Sequence, residues 1–231
     1  MIHQIKRSDV GFPDPSEANE DGIVAWGGDL HPQRILNAYR SGIFPWYSNP
    51  PILWWSPNPR LIMELNEFRL TRSLKKSIKK FTYKIDTQFK TVMQECASIQ
   101  RDNQNGTWIQ TEIIDTYAYL HELGYTHSIE SYKDGILVGG LYGIVIGTVF
   151  CGESMFSKVN DASKAAYFIL VEHLKEWEYS FIDCQVPTQH LKSLGAKEIN
   201  RDEFLIRLEK SKNRTIKHTW KIKEDIINKY K

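Results

Sequence analysis

The sequence predicts an α+β protein, with a small turn-rich N-terminal domain over residues 1–60 and a larger domain over 61–231. Three observations predict it. The 231 residues are 41% apolar and 25% charged, an ordinary globular mix with enough chain to bury a core without disulfides or a structural metal. Eight of the nine prolines and four of the seven tryptophans lie in the first 60 residues, where fixed φ and missing donors favour turns and short helices over a continuous sheet. Beyond Arg60 the apolar spacing switches repeatedly between helical and strand periods.

In chain order, Pro32 opens a helix whose Ile35, Leu36 and Tyr39 recur at helical spacing before Gly42 stops it. The aromatic stretch IFPWYSNPPILWWSPNPR is irregular. Arg69–Lys84 holds seven basic residues and no acid, with Leu74, Ile78 and Phe81 as an apolar stripe, so an amphipathic helix with a positive face is expected. Thr82–Ile85 is a candidate strand, Phe89–Ser98 a second helix and Thr111–Gly124 a third. Strands are expected near His127–Tyr132, Ile136–Tyr142 and Thr148–Cys151, then a helix over Ala162–Trp177 and a strand over Phe181–Cys184. A short helix, Thr188–Leu194, precedes a last strand near Phe204–Leu208. Lys210–Lys223, with six basic residues and no acid, reads as a solvated tail or a loosely docked helix.

Thirty Lys and Arg against 28 Asp and Glu leave a net charge of +2, so any nucleic-acid contact must come from a local basic face. Cys96, Cys151 and Cys184 form no CxxC pair and are odd in number, which points to a reducing compartment. The first residues carry no apolar signal core, so a cytoplasmic, monomeric protein is expected. Gly135–Gly152 runs 18 residues without a charge, but its glycine, Ile, Val and Thr content suits two buried strands joined by a glycine turn, not a membrane helix.

Metal and phosphate motifs are missing. There is no HExxH or Cys/His quartet, so His121 and His127 read as core or surface residues; GxSxG, GxGxxG and the P-loop pattern are absent too. Cys151 and Cys184 sit in apolar strands, where a thiol is inert. What stands out is polar residues at the ends of apolar strands. Glu153 follows the uncharged run, and Asp183 and Gln185 flank Cys184 so as to share one side of an extended chain. Such acids either tie down structure or serve a site.

Nine stretches reach a family: GDL at 28–30, AYRSGIFPW at 38–46, PILWWSPNPR at 51–60, TWI at 107–109, LVGGLYG at 137–143, FCGESMFS at 150–157, ASK at 162–164, IDCQ at 182–185 and HLKSLGA at 190–196. In this order they resemble the bacterial leucyl/phenylalanyl-tRNA–protein transferases. The resemblance implies a GNAT-like acyltransferase fold for the larger domain. It implies transfer of Leu or Phe, and also Met, from Leu-tRNA, Phe-tRNA or its methionyl counterpart to the N-terminal Lys or Arg of acceptor proteins, marking them for N-degron proteolysis. It implies no metal, no cofactor and no membrane.

Residue by residue, the resemblance puts the catalytic positions at Glu153, Asp183 and Gln185, with Asp183 orienting Gln185. The tRNA 3′ adenosine would meet Tyr39, Trp46 and Trp108, and the Leu or Phe side chain Leu141, Phe150, Leu170 and Ile182. An amide is no base at neutral pH, so Gln185 is expected to orient the attacking amine. Glu153 would bind either the acceptor's basic side chain or its ammonium group. Arg72, Lys75, Lys76, Lys79 and Lys80 are expected to meet tRNA phosphates, and Trp54 and Trp55 to fill a small core. The stretch SIESYKDG departs from relatives that carry Val-Trp after the Glu, and the basic tail has no aligned counterpart. An RNA-binding module, or another tRNA-dependent aminoacyl transferase of the same fold, is the alternative reading; a CoA enzyme would need a pyrophosphate loop that is missing.

Overall fold

The computed structural model describes residues 2–99 and 109–230. Its elements are β1 (His3–Ile5), β2 (Ile23–Gly27), α1 (Pro32–Arg40), β3 (Phe44–Pro45), β4 (Leu53–Trp55), β5 (Arg60–Met63), α2 (Arg72–Ile78), β6 (Thr82–Ile85), α3 (Phe89–Ser98) and α4 (Thr111–Glu122). They continue as β7 (Thr126–Lys133), β8 (Ile136–Ile146), β9 (Val149–Ser157), α5 (Ala162–Glu176), β10 (Phe181–Gln185), α6 (Gln189–Ser193), β11 (Lys197–Ile199), α7 (Arg201–Ser211) and α8 (Glu224–Asn228).

Seven strands form the main sheet, in the order β11-β5-β10-β9-β8-β7-β6. All neighbours are antiparallel except β9 and β10, whose parallel pairing requires a crossover, and α5 supplies it. The uncharged run becomes β8 and β9 with Gly147 at φ 60 in their turn. Gly139 explains part of the glycine content: a Cβ there would lie 2.5 Å from that of Ala162, so only glycine lets α5 settle on the sheet. Among the described residues no helix is long and apolar enough to cross a membrane.

Helices cover both faces. Apolar residues of α1, α3, α4 and α7 pack with the small sheet on one side, while α2, α5 and α8 pack on the other. The N-terminal residues are not free of sheet, as their prolines suggested. Four short strands pair in the order β1-β2-β4-β3, and Pro45 is tolerated because β3 lies at the edge. The expected boundary after residue 60 falls inside β5, at its first residue Arg60, while β4 just before it belongs to the other sheet. One hydrophobic core nevertheless crosses it, joining Val24, Ile35 and Trp54 to Ile62, Val92 and Tyr117.

Three further expectations change. The long basic helix is only the seven residues of α2, opened by Thr71 Oγ1 accepting from the Leu74 amide at 3.2 Å; Thr82–Ile85 leaves it to pair with β7. Phe204–Leu208 is helical, inside α7, because Phe204 and Leu208 recur at i, i+4 and face the core; the edge strand is β11 instead. The basic tail is docked. Trp220 stacks on His127 with centroids 3.8 Å apart, Ile226 and Ile227 are buried, and the Tyr230 hydroxyl donates to Glu172 at 2.6 Å.

Candidate active site

Strand register brings the polar residues together. In the parallel pair, Asp183 lies opposite Cys151, and the same 32-residue offset carried two positions on sets Gln185 beside Glu153. The Gln185 amide donates from Nε2 to Glu153 Oε1 at 2.9 Å. Two phenols complete the cluster from the helical layer. Tyr39 of α1 donates to Glu153 Oε1 at 2.6 Å, Tyr117 of α4 reaches Oε2 at 3.4 Å, and the two hydroxyls lie 2.8 Å apart.

Burial pushes the Glu153 carboxyl up to about 8; the Tyr39 hydrogen bond partly offsets this and the nearby Asp183 adds to it. Burial, then the Glu153 charge, holds the Tyr39 and Tyr117 phenols well above 10, so both remain donors. Burial also raises the Cys151 thiol well above its ordinary value and Cys184 to about 12. Neither cysteine is a nucleophile at neutral pH.

Asp183 does not orient the Gln185 side chain, contrary to expectation. Its Oδ1 accepts the Gln185 backbone amide at 2.9 Å, and both oxygens accept from Arg60, Nε at 2.8 Å and Nη2 at 2.7 Å. The reason is backbone geometry. Gln185 has φ 63, in the left-handed region, which breaks the strand alternation that would have put the two side chains together. Arg60 and Asp183 are each 1% exposed, and Arg60 also donates to the Gly42 carbonyl at 3.1 Å.

Beside Glu153 and Gln185 opens a cavity of about 490 Å³, walled by Phe44, Trp46, Phe150, Met155 and Tyr167 among others. Of the expected side-chain pocket, Leu141, Phe150 and Ile182 line it. Leu170 does not; it is fully buried in the core beneath α5, and Tyr167, one helical turn earlier, occupies the wall. Trp46 is half-buried at the wall, its ring 5.3 Å from that of Trp55. Trp54 fills the core as expected, but Trp55 is half-buried against Trp46.

Tyr39 is 2% exposed and presents no face to a base; the apolar spacing that put it on the helix's inner side also took it out of reach of an adenine. Trp108 lies outside the described residues. Arg72, Lys75, Lys76, Lys79 and Lys80 are all exposed, the last two just beyond α2, on the sheet face that carries α5. Sequence reading missed Tyr117, whose helical spacing from Ile113 and Leu120 makes it one more residue of the buried face of α4. It also missed Arg60, although a buried Asp183 demands a cation.

His121, His127 and Asp86 cluster as well. There His127 Nδ1 meets Asp86 at 2.7 Å and Nε2 meets the Gly124 carbonyl at 3.2 Å, while His121 Nδ1 faces the Thr126 carbonyl at 2.7 Å. Those nitrogens are engaged within the protein, and the two imidazoles with the Asp86 carboxylate also lie close enough to one another to hold a metal ion.

Residues 62–209 match the family model described as leucyl/phenylalanyl-tRNA protein transferase, and residues 28–58 match that of its N-terminal domain. The chain belongs to the leucyl/phenylalanyl-tRNA–protein transferase family. It is 60% identical to the leucyl/phenylalanyl-tRNA–protein transferase of Sulfurimonas denitrificans over 96% of this chain and 98% of that one. It is 54% identical to the protein of the same name from Desulfatibacillum aliphaticivorans, over 85% of each chain. A solved structure of L-PGS from Bacillus licheniformis aligns over 59% of this chain and 50% of that one at 14% identity and a TM-score of 0.38, too slight to carry an argument.

Proposed function

We propose that this protein transfers Leu or Phe, and also Met, from aminoacyl-tRNA to the N-terminal Lys or Arg of acceptor proteins, marking them for N-degron proteolysis. The observation that carries this reading is the Glu153 carboxyl, held by Tyr39, Tyr117 and Gln185 at the edge of an apolar cavity. The donor ester is already activated, so the protein needs to align an amine with a carbonyl and manage a proton. In the reaction a C–N bond forms, the bond to the 3′ oxygen breaks, and the amine's proton ends on that oxygen.

Glu153 is suited to hold the proton in transit. An α-amine titrates at about 7.7–8.0, and Glu153 at about 8, so exchange between them is nearly balanced. Gln185, its Nε2 tied to Glu153, keeps its carbonyl oxygen for the amine. The donor's side chain enters the apolar wall of Leu141, Phe150 and Ile182, and Trp46 stacks on the terminal adenine. A GNAT-like assignment of the larger sheet belongs to the same proposal; its support is the parallel β9–β10 pair, crossed by α5, with Gln185 at the carboxyl end of β10. The test is formation of a peptide bond between labelled Leu, supplied on Leu-tRNA, and a peptide beginning with Arg. Binding of the tRNA without bond formation would reduce the protein to an RNA-binding module.

A further inference from the structure

Asp86, His121 and His127 form the one group of metal-ligating residues, among those described, in which three side chains each bring a ligand atom within 4.8 Å of the others. They come from three elements: the turn between β6 and α3, the last turn of α4, and β7. None of the three lines the cavity beside Glu153. Asp86 is pinned to β7, its amide donating to the Ser128 carbonyl at 3.1 Å and its Oδ1 accepting the Ser128 amide at 2.7 Å. Stacking fixes both rings, His121 on Phe89 with centroids 4.4 Å apart and His127 on Trp220. The hydrogen bonds here are short of a donor. His127 is 5% exposed, and its two ring nitrogens face acceptors on opposite sides, Asp86 Oδ2 at 2.7 Å and the Gly124 carbonyl at 3.2 Å. A neutral imidazole has a single N–H, so one of these contacts calls for a cation, either a second proton or a metal ion.

We propose that Asp86, His121 and His127 hold a divalent transition cation of the zinc class. His127 binds it through Nδ1, where the proton shared with Asp86 would otherwise sit, and its Nε2–H donates to the Gly124 carbonyl. A ligating histidine commonly gives its second N–H to such a carbonyl, which fixes the tautomer. Asp86 Oδ2 is the carboxylate ligand, since Oδ1 already accepts the Ser128 amide. His121 Nδ1 is 4.0 Å from Asp86 Oδ1 and joins by turning from the Thr126 carbonyl, which it faces at 2.7 Å. Its side chain is 26% exposed, which leaves room for that turn and a path by which the ion enters. Three protein ligands with water in the remaining position is the donor set of an open zinc site. Two imidazoles favour zinc and its neighbours over magnesium and calcium, which take oxygen ligands. His121 lies one turn after Tyr117, so the ion ties to β7 the helix that brings that phenol to Glu153.

The experiment takes the full chain, stripped of metal with a chelator, and titrates it with zinc chloride in a calorimeter. A single equivalent of zinc should bind, and excess magnesium should not displace it. Asp86→Asn keeps the side chain's size and its acceptor for the Ser128 amide, and asparagine tolerates the φ of 58 at this position, so the fold should survive. That variant and His121→Ala should each weaken zinc binding at least about tenfold, the lower end of what losing a mere supporting partner costs. His3→Ala, which removes an exposed histidine elsewhere, should bind zinc like the parent. No binding, or equal affinity in the parent and both site variants, overturns the proposal and leaves a proton as the cation between His127 and Asp86. Should neither site variant fold, the imidazole nitrogen NMR signals of the unaltered protein decide. Of the seven histidines zinc should shift two and spare the rest, and any other set overturns the site.

Discussion

Glu153 carries a proton that the unfolded chain would release. Its carboxyl titrates near 8 in the fold and at 4.5 without it, so between those values the native state binds one more proton than the unfolded state. Unfolding then releases a proton, and Glu153's contribution to stability falls as pH rises from 5 to 8. Glu153→Gln removes that dependence. Its stability relative to the parent should grow with pH, by at most about 1.4 kcal/mol per unit, in denaturant titrations at several pH values. A pH-independent difference would contradict the raised value. Gln185→Ala tests the neighbouring role: the transfer rate should drop while affinity for charged tRNA stays nearly unchanged, and equal losses would make Gln185 a binding residue. Glu153 and Gln185 could be picked from the sequence because polar side chains interrupt apolar strands. Their pairing could not, since it depends on a register between strands that are separated by a whole helix.

At the scale of elements, α2 shows how a basic run can mislead about length and still mark a surface. Leu74 and Ile78 bury one side, and the Ser77 hydroxyl donates to Asp161 at 2.8 Å, so the helix is fixed to the start of α5 with its lysines outward. Replacing Lys75, Lys76, Lys79 and Lys80 with Gln keeps helix propensity and that anchorage. Affinity should fall alike for Leu-tRNA and Phe-tRNA, and the slope of log affinity against log salt should flatten by about 0.7–0.9 for each phosphate no longer neutralised. An aminoacyl adenosine should react equally well with the variant. An unchanged salt slope in a folded variant would leave the lysines as plain solvated surface. The bounds of α3, Phe89–Ser98, were legible, but its cap had no signal of its own. Gln88 gives no side-chain cap, and Glu130, more than 40 residues away, accepts the Thr87 and Gln88 amides at 2.8 Å each. Nothing local in the sequence announces such a cap. Likewise the left-handed backbone at Gln185 depends on Asp183, held in turn by Arg60, and strand periodicity alone gave the wrong orientation.

Across the whole molecule, the segment after α7 behaves as a strap. Lys223 donates its amide to His173 Nε2 at 2.9 Å, His218 stacks on Trp177, and Ile226 and Ile227 are buried. Burial of each isoleucine contributes about 1.5–3 kcal/mol, so deleting residues 212–231 should lower the thermal midpoint clearly while leaving the Glu153 cluster in place. A truncated protein as stable as the parent would show that the strap is only decoration. Composition marked this segment as basic but could not show that its few apolar residues suffice to dock it. The core that crosses residue 60 has a different kind of consequence. Trp54 and Val24 share it with Val92 and Tyr117, and Arg60 binds both the Gly42 carbonyl, just before the cavity wall at Phe44, and Asp183, beneath Gln185. A recombination event that swapped the first 60 codons with those of an unrelated gene would leave two half-cores and one wall of the cavity. The N-terminal piece cut off at residue 60 would expose Val24, Ile35 and Trp54, which the whole chain buries.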